Sequence, residues 1–232
     1  MAEQKLISFL ENLKTTNDVL KHMPRKIVWL SGAPGAGKGT NENYIIEYAH
    51  LSQQPLIASS LLNSPEMRAK INQGLLLDDL TVVSSVFNGL MDPIYQSGVL
   101  VDGFPRTLGQ AQSIAWLYKQ LIDSKIPVNF SVIVLMLDEE ESVRRQLHRG
   151  QRCLQYNERI RKSGQGVQKE VRQTDLDPVV ARQRYKVFMK ETYLALESLK
   201  ELLPFVTISS NGSLETVKTR VLEAIQQLKL IQ

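Results

Sequence analysis

Lys26-Ile-Val-Trp-Leu-Ser-Gly-Ala-Pro-Gly-Ala-Gly-Lys-Gly-Thr40 is the stretch of sequence that decides the fold. Residues 27–30 form an apolar run typical of a buried strand, and after Thr40 apolar residues recur at helical spacing. A run of glycines therefore joins a strand to a helix. A phosphate-binding loop requires this context.

The glycines of this loop explain its spacing. Gly32, Gly35 and Gly37 carry no Cβ, so the backbone can curl until successive N–H groups converge on one anion. The N-terminus of the following helix adds partial positive charge, and Lys38 is placed to reach the outer phosphates of a nucleotide. We therefore predict a site for the phosphates of a nucleotide rather than a glycine-rich connection without a ligand. The predicted contacts are Gly32, Ala33, Pro34, Gly35, Ala36, Gly37, Lys38, Gly39 and Thr40.

The hydroxyl of the loop comes one residue later than in the commonest form of this motif. Gly39 follows the lysine, and the hydroxyl group belongs to Thr40. This offset argues against direct ligation of Mg²⁺ by the side chain. We expect the ion to be held mainly by nucleotide oxygens and water.

Composition and charge restrict the class of protein. The 232 residues are 43% hydrophobic, enough for one sizeable core with inserted subdomains, and the net charge of +4 suits an anionic partner. Cys153 is the only cysteine, which excludes an internal disulfide and a multi-cysteine zinc site. The sequence has neither an apolar run of membrane-spanning length nor a signal-peptide core. We expect a cytoplasmic monomer that binds small-molecule nucleotides, without a membrane or nucleic-acid partner.

A second informative stretch is Val99-Leu-Val-Asp-Gly-Phe-Pro-Arg-Thr107. An apolar strand ends in Asp102, and Arg106 follows after a turn. Ligands of open parallel sheets bind at the carboxyl ends of the strands, so Asp102 is predicted to lie on the same edge as the phosphate loop. There its carboxylate can hold water bound to Mg²⁺. The alternative is that Asp102 only caps the turn.

Strands and helices alternate along the chain. Further apolar runs at residues 56–58, 130–137 and 205–208 predict strands with helices between them. Five repeats of this alternation predict an α/β fold in which helices cover both faces of a parallel sheet. Before the first strand, a hydrophobic stripe predicts a helical extension over residues 1–25 that packs on the core. The alternatives are a dimer seam and an anchor on a membrane surface. The stripe consists of Leu6, Phe9, Leu10 and Leu13.

Two predicted helices frame a basic segment punctuated by glycines. One runs from residue 139 to about 149, and a long one from 178 to about 203. Alone, the arginine-rich run between them would be a solvated loop or a nucleic-acid patch, but Tyr156 is its only stacking aromatic. Beside a phosphate loop it predicts a mobile flap whose arginines surround a migrating phosphoryl group.

The chain resembles the adenylate kinase family of nucleoside monophosphate kinases through two motifs in a fixed order. They are Gly-Ala-Pro-Gly-Ala-Gly-Lys-Gly-Thr at 32–40 and Val-Asp-Gly-Phe-Pro-Arg-Thr at 101–107, followed by the arginine-rich flap. The match runs from about Lys26 to the C-terminus. The resemblance implies reversible transfer of the γ-phosphoryl group of Mg-ATP to a nucleoside monophosphate, AMP first of all, giving ADP and a nucleoside diphosphate.

The resemblance also implies a division of the chain. The P-loop kinase domain would span residues 26–232, as a three-layer α/β/α fold around a five-stranded parallel sheet. A small helical subdomain at about 57–90 would bind the monophosphate, and residues at about 150–172 would form a lid.

Roles of individual residues follow from the same resemblance. Lys38 looks like the phosphate lysine, Asp102 like the carboxylate that holds magnesium-bound water, and Arg106 like the cation on the acceptor phosphate. Gln110 is similar in position to the family's adenine-reading amide, although it also stands at capping-box spacing from Thr107 and could simply cap the helix.

The predicted flap and the last turn supply the remaining assignments. Arg145 and Arg149 look like the arginines at the first hinge of the lid, and Arg172 and Arg184 like those at the second. The turn at Gly212 resembles the wall beside the adenine of ATP. The expected catalytic residues are Lys38, Arg106, Arg149, Arg172 and Arg184.

The monophosphate-binding segment departs from the family pattern. Most members have Thr-Gly-Asp-Leu-Leu-Arg where this chain has Ala58-Ser-Ser-Leu-Leu-Asn63, so an arginine on the acceptor phosphate is missing. Arg68 could replace it if its helix points inward. Ala58 resembles uridylate-cytidylate kinases, whereas Gln110 and Thr107 favour adenine. The expected acceptor contacts are Ala58, Asn63, Gly103, Arg106 and Gln110.

Three alternative functions remain open at this point. The chain could be a UMP/CMP kinase or a P-loop kinase of another small acceptor. It could also be a catalytically inactive module that binds nucleotides or RNA through the basic segment.

Overall fold

The structure is a computed structural model that describes residues 2–15, 17–73 and 75–230. Within these ranges its strands are β1 (Lys26–Gly32), β2 (Leu56–Ile57), β3 (Val99–Asp102), β4 (Asn129–Met136) and β5 (Phe205–Ser209). Each strand runs parallel to its neighbours, in the order β2-β3-β1-β4-β5. The predicted parallel sheet is confirmed, and the strand that leads into the phosphate loop lies at its centre.

Helices cover both faces of the sheet, as predicted. Within the described residues they are α1 (Ala2–Thr15), α2 (Asn17–His22), α3 (Lys38–Tyr48), α4 (Pro65–Asn72), α5 (Asp79–Leu90), α6 (Leu108–Asp123), α7 (Glu139–Ser163), α8 (Pro178–Val187), α9 (Leu194–Glu197) and α10 (Leu214–Gln227). A π-helical turn, Phe188–Tyr193, joins α8 to α9. The long helix predicted to end at about residue 203 therefore ends at Glu197, and turns follow it. None of these helices is both long and apolar enough to cross a membrane.

β1 forms the centre of the core. The side chains of residues 27–30 are fully buried. The ring of Trp29 contacts Phe104, in the loop after β3, and Phe130 of β4, with ring centroids 5.6 and 6.1 Å away. Tilted and edge-on aromatic contacts of this kind add to the free energy gained by burial. The start of the phosphate loop is therefore held by dense packing.

The helices that come after β3 and β4 begin at side-chain caps. The backbone N–H of Gln110 donates to the hydroxyl of Thr107 at the start of α6, at 3.3 Å. The backbone N–H of Glu141 donates to the carboxylate of Asp138 at the start of α7, at 2.8 Å. Each cap is worth about 1 kcal/mol. These bonds fix where α6 and α7 start relative to the carboxyl ends of β3 and β4.

α7 is longer than the sequence predicts. The expected helix ends near residue 149 and gives way to a flap, but α7 continues to Ser163. Gly150 does not break the helix, because it is the point where the helix packs against Asp175. A Cβ on Gly150 would overlap the carbonyl oxygen of Asp175. The first half of the predicted lid is therefore helical.

α1 packs against the core through the predicted stripe. Leu6 and Leu10 are buried, and Phe9 and Leu13 are half-buried against the same cluster. The helix lies against α5 and α6. Met1, Thr16, Gly74, Ile231 and Gln232, which fall within the predicted extension, subdomain and kinase domain, lie outside the described residues.

Gly150→Ala is expected to destabilise the protein. Alanine in a helix interior normally stabilises by about 1 kcal/mol relative to glycine, but here the added methyl group overlaps Asp175 and should cost about 2 kcal/mol. Urea unfolding followed by circular dichroism measures the change. The control is Gln151→Ala, an exposed change on the next residue, which should stay within about 0.5 kcal/mol of the wild type. A Gly150→Ala protein more stable than the wild type would contradict the packing.

Candidate active site

The loop between β1 and α3 has the backbone that its glycines predict. Gly35 and Gly37 have φ angles of 79° and 81°, in the left-handed region that favours glycine. Gly32 lies so close to β4 that a Cβ would stand 2.5 Å from the carbonyl oxygen of Leu135. Side chains at these positions would uncurl the loop.

The loop is anchored on two sides. The N–H of Ala33 donates to the carbonyl oxygen of Leu135 at 2.8 Å, and the hydroxyl of Ser142 on α7 donates to the carbonyl oxygen of Pro34 at 2.6 Å. Gly37 is the N-cap of α3, and its lack of a side chain leaves the first N–H groups of the helix without a side-chain cap. Together with the positive end of the helix dipole they suit a bound anion.

Lys38 extends back over the loop from the first position of α3. Its Nζ lies 3.4 Å from the carbonyl oxygen of the loop's first glycine. Burial lowers the pKa of Lys38 to about 8, and the carboxylate of Asp102 opposes the shift. The groups that add to the shift are Arg106, Arg184 and Arg149. The lysine therefore sits in an excess of positive charge.

Asp102 lies on the same edge of the sheet, as the sequence predicts. It is the last residue of β3 and is in register with Leu30 of β1. Its Oδ1 is buried, and no described residue donates a hydrogen bond to it. A buried carboxylate oxygen without a partner is costly unless it meets water or a cation. Within the described residues, the hydrogen-bonding capacity of this oxygen is therefore unused.

Arg106 is held in the turn between β3 and α6. Gly103 has a φ of 80°, and a Cβ there would come within 3.1 Å of Nη2 of Arg106. The Nε of Arg106 donates to the carbonyl oxygen of Gly103 at 2.9 Å, and Thr192 donates to the carbonyl oxygen of Arg106 at 3.0 Å. Burial lowers the pKa of Arg106, with Asp102 opposing the shift and Arg172 adding to it.

Asp175 holds two of the predicted lid arginines. Its side chain is 4% exposed and accepts two hydrogen bonds of 2.7 Å from Arg149. Nη1 of Arg184 lies 3.6 Å from Oδ1 of Asp175 and donates to the hydroxyl of Thr174 at 3.3 Å. Arg172 is exposed and precedes the short turn that carries Asp175. The sequence does not single out Asp175, because an acid among many arginines carries no signal of burial.

The expected catalytic cations form one electrostatic cluster. The pKa of Arg184 is lowered, first by burial and then by Arg149, Arg172 and Arg106, with Asp175 opposing the shift. A guanidinium group remains protonated at neutral pH, so the lowered pKa of Arg184 reflects the cost of burying its charge and of placing it beside other cations. The structure thus gathers side chains from α3, α7, α8 and two loops around the phosphate loop.

Arg145 joins the phosphate loop to the turn after β5. Its guanidinium donates to Glu141 at 2.6 Å and to the carbonyl oxygen of Ser210 at 3.0 Å. Gly35 of the loop packs beside it, since a Cβ on Gly35 would lie 3.1 Å from the Cβ of Arg145. Gly212 follows in this turn with a φ of 111°. The structure therefore brings together the phosphate loop, α7 and the turn after β5, each of which carries a residue predicted to contact ATP.

A separate pocket contains most of the expected acceptor contacts. Four of them line it, namely Ala58, Gly103, Arg106 and Gln110, and the rest of its wall consists of Ser59, Leu62, Ile71, Leu75, Leu76, Leu77 and Val82. The carboxamide of Gln110 accepts a hydrogen bond from the N–H of Arg106 at 2.8 Å and donates one to Asp79 at 3.0 Å. The pocket is thus an apolar slot with one amide and one guanidinium.

Asn63 is not part of this pocket wall. It is exposed, and its Oδ1 accepts a hydrogen bond of 2.8 Å from Nη2 of Arg68. The side chain of Arg68 therefore reaches back along α4 to the position where the family pattern has an arginine.

The fold and the loop geometry define the class as a P-loop nucleotide-binding α/β protein. No family model matches the chain. Among curated proteins, it is 30% identical to the adenylate kinase of Chlamydia abortus over 84% of this chain and 95% of that protein. It is also 30% identical to the adenylate kinase of Alkaliphilus oremlandii, over 84% of this chain and 96% of that protein. Its identity to the adenylate kinase of Xanthobacter autotrophicus is 30%, over 75% of this chain and 87% of that protein. The chain belongs to the adenylate kinase family.

Family membership confirms two predictions made from the sequence. The resemblance carried by the motifs at 32–40 and 101–107 is correct, and so is the P-loop α/β fold that it implies. The chain is a phosphotransferase with a phosphate group as acceptor.

Lys38→Met is expected to raise the stability of the ligand-free protein. The pKa of Lys38 falls from 10.5 to about 8 on folding, so the proton opposes folding at pH 7. Removing the charge should raise the free energy of unfolding by about 3 kcal/mol. Between pH 8 and 10.5 the wild type gains stability as its folded form loses that proton, so the difference should shrink.

Urea unfolding at pH 7, 9 and 10 measures this difference. Lys186→Met, at an exposed position of α8, is the control and should change stability by less than about 0.5 kcal/mol at each pH. If the difference in the free energy of unfolding between Lys38→Met and the wild type does not vary with pH, the lowered pKa of Lys38 is wrong.

Proposed function

We propose that the protein is a nucleoside monophosphate kinase that reversibly transfers the γ-phosphoryl group of ATP to AMP and forms two molecules of ADP. The observation that carries this proposal is the cluster of cations between the phosphate loop and the pocket around Gln110. Two nucleotides that meet phosphate to phosphate bring several negative charges to one point, and concentrated positive charge offsets their repulsion. Family membership supports the same reaction class.

ATP would bind along the loop between β1 and α3. The curled backbone and the start of α3 suit its phosphates, and Lys38 reaches the outer ones. Arg145 and the turn at Gly212 border the far end of the loop and would flank the base. The monophosphate would bind in the apolar pocket, with its base beside Gln110 and its phosphate on Arg106.

Transfer proceeds in line and needs no general base. An oxygen of the acceptor phosphate is already anionic near neutral pH, so it attacks the γ-phosphorus directly. Lys38 holds the donor phosphates, and Arg106 orients the acceptor phosphate. Arg149 and Arg184, which Asp175 holds, neutralise the charge that spreads over the moving group.

Asp102 is the residue that fits a magnesium ion. Its buried Oδ1 has no hydrogen-bond partner among the described residues. Magnesium usually keeps several of its waters, and a carboxylate that accepts hydrogen bonds from them holds the ion without binding it directly. When bound with ATP, the ion would add positive charge beside the donor phosphates.

We propose that residues 150–172 act as a lid and residues 57–90 as the monophosphate-binding subdomain. The side chain of Asn157 on α7 bonds both the N–H and the carbonyl oxygen of Lys169, at 2.7 and 2.6 Å, so the returning segment is tied to the helix. Glu170 accepts a hydrogen bond from Asn72 of α4, which joins the lid to the subdomain. A closed lid would exclude water and limit hydrolysis of ATP.

A single chain in the cytoplasm is the proposed working unit. Every group that the mechanism uses comes from one chain, and its substrates are small nucleotides. The single cysteine, Cys153, is compatible with a reducing compartment.

The direct test is formation of ADP from ATP with AMP, CMP, UMP, GMP and their deoxy forms, each compared with ATP alone. We expect AMP to be the best acceptor and ATP alone to give little ADP. Tight binding of ATP without transfer to any monophosphate would contradict the proposal and favour an inactive nucleotide-binding module.

Arg106→Ala is expected to lower kcat with ATP and AMP by about 10³-fold, because the acceptor phosphate loses both its orientation and its neutralising charge. Steady-state kinetics on the folded variant measure the loss. Arg182→Ala removes an exposed arginine that pairs with Glu139, and it should leave kcat within about twofold. Near-normal turnover of Arg106→Ala would remove this residue from the mechanism.

We also propose that Arg68 supplies the second cation for the acceptor phosphate. Its hydrogen bond to Asn63 brings the guanidinium back toward position 63. Ile71, which follows Arg68 by three residues on α4, lines the acceptor pocket. Residues three apart share a helix face, so Arg68 lies on the side of α4 that faces this pocket.

Arg68→Ala is expected to raise the KM for AMP about tenfold and to leave the KM for ATP unchanged, because it removes one charge-assisted contact to the acceptor. Adding Asn63→Arg to this variant should restore the KM for AMP. Lys70→Ala, an exposed change on the same helix, is the control. An unchanged KM for AMP in Arg68→Ala would exclude the role.

A further inference from the structure

Asp79 lies behind the acceptor pocket, at the first position of α5, and is not part of the cation cluster around the phosphate loop. Its Oδ1 accepts hydrogen bonds from the hydroxyl of Thr107 at 2.5 Å and from Nε2 of Gln110 at 3.0 Å. We propose that Asp79 is a positioning residue that fixes the Gln110 carboxamide, so that the pocket prefers an amino-substituted base to its oxo counterpart. This inference rests on the proposed function.

The chemistry of the two neighbours determines which way the amide faces. The backbone N–H of Arg106 can only donate, so the amide atom 2.8 Å from it is the oxygen of Gln110. The carboxylate of Asp79 can only accept, so the atom facing it is the nitrogen. A reversed amide would set donor against donor at Arg106 and acceptor against acceptor at Asp79. Both contacts therefore enforce the same orientation.

The surroundings keep the carboxylate of Asp79 at this position. Gly109 leaves room for it, because a Cβ there would overlap Oδ2 of Asp79. The same Cβ would lie 3.6 Å from Cδ2 of Leu6, so the N-terminal helix covers this spot. Gln110 itself is 2% exposed, and its amide has little freedom to turn.

The fixed amide has one N–H and one oxygen lone pair left for a ligand. Because Gln110 lines the pocket, these two groups form an adjacent donor and acceptor at its wall. Adenine matches them with the ring nitrogen N1, an acceptor, and the 6-amino group, a donor. Hypoxanthine has the same size and shape but carries N1–H and a 6-oxo group, so both of its partners are reversed. A buried mismatch of this kind is costly, since polar groups remain unpaired.

The test compares AMP with inosine monophosphate, which differ only in this edge. In Asp79→Leu the amide nitrogen loses its anchor, and we expect the ratio of kcat/KM for AMP over inosine monophosphate to fall about tenfold. The KM for ATP should stay unchanged. Asp79→Asn keeps an oxygen that accepts both hydrogen bonds, so its ratio should stay within about twofold of the wild type.

Two further variants separate positioning from folding. Gly109→Ala displaces the carboxylate of Asp79 without altering either partner, and it should lower the ratio as Asp79→Leu does. Asp78→Ala removes the neighbouring cap of α5, whose Oδ1 accepts from the N–H of Thr81, and it should lower stability but not the ratio. Adding Asp79→Leu to Gln110→Leu should have no further effect on the ratio, because Asp79 acts through the amide.

Calorimetric titration of the two monophosphates gives a readout that is independent of turnover. A wild type that binds AMP more tightly than inosine monophosphate but transfers no phosphoryl group would disprove the proposed function. Loss of that binding preference in Asp79→Leu would still support the role of Asp79. Equal binding of the two by the wild type would overturn the inference. An unchanged ratio in both Asp79→Leu and Gly109→Ala would overturn it too.

Discussion

Concentrated positive charge in one cleft is the constraint on which the rest of the structure depends. Burial and mutual repulsion lower the pKa values of Lys38 and Arg184, so the folded chain carries an electrostatic cost at this point. Asp175 offsets part of that cost. Its carboxylate is almost fully buried and accepts two hydrogen bonds from Arg149. Bound phosphates would relieve the remainder, so the same charges that weaken the empty protein favour the occupied one.

The sheet order explains how these charges come to one place. β1 lies between β3 and β4, so the carboxyl ends of all three strands open at the centre of one edge. The phosphate loop follows β1 directly, α7 begins shortly after β4, and Asp102 is the last residue of β3. A parallel sheet with this strand order therefore brings together groups that are far apart in the chain, and the packing around Trp29 keeps the edge rigid.

The parts of the site at the end of a strand can be predicted from the sequence. The apolar run locates the strand, and the residues at its end must then lie at the edge of the sheet formed by the carboxyl ends of the strands. The glycine loop and Asp102 are of this kind. Asp175 and Asp79 are not, since their partners Arg149 and Gln110 are 26 and 31 positions away and no local pattern links them. Gly150 is ambiguous for another reason. A glycine that ends a helix and a glycine that lets another backbone approach look alike until the neighbour is known.

The unpredicted length of α7 links the phosphate loop to the proposed lid through one continuous helix. Near its start, Ser142 bonds the carbonyl oxygen of Pro34 in the phosphate loop, and farther along Arg149 pairs with Asp175. Beyond Gly150 the same helix carries Asn157, which ties down the returning segment of the proposed lid. A helix transmits rotation along its whole length because its backbone hydrogen bonds are continuous. Any movement of the proposed lid that tilts α7 must therefore act on the phosphate loop and on the arginine pair together, which a flexible flap after residue 149 would not do.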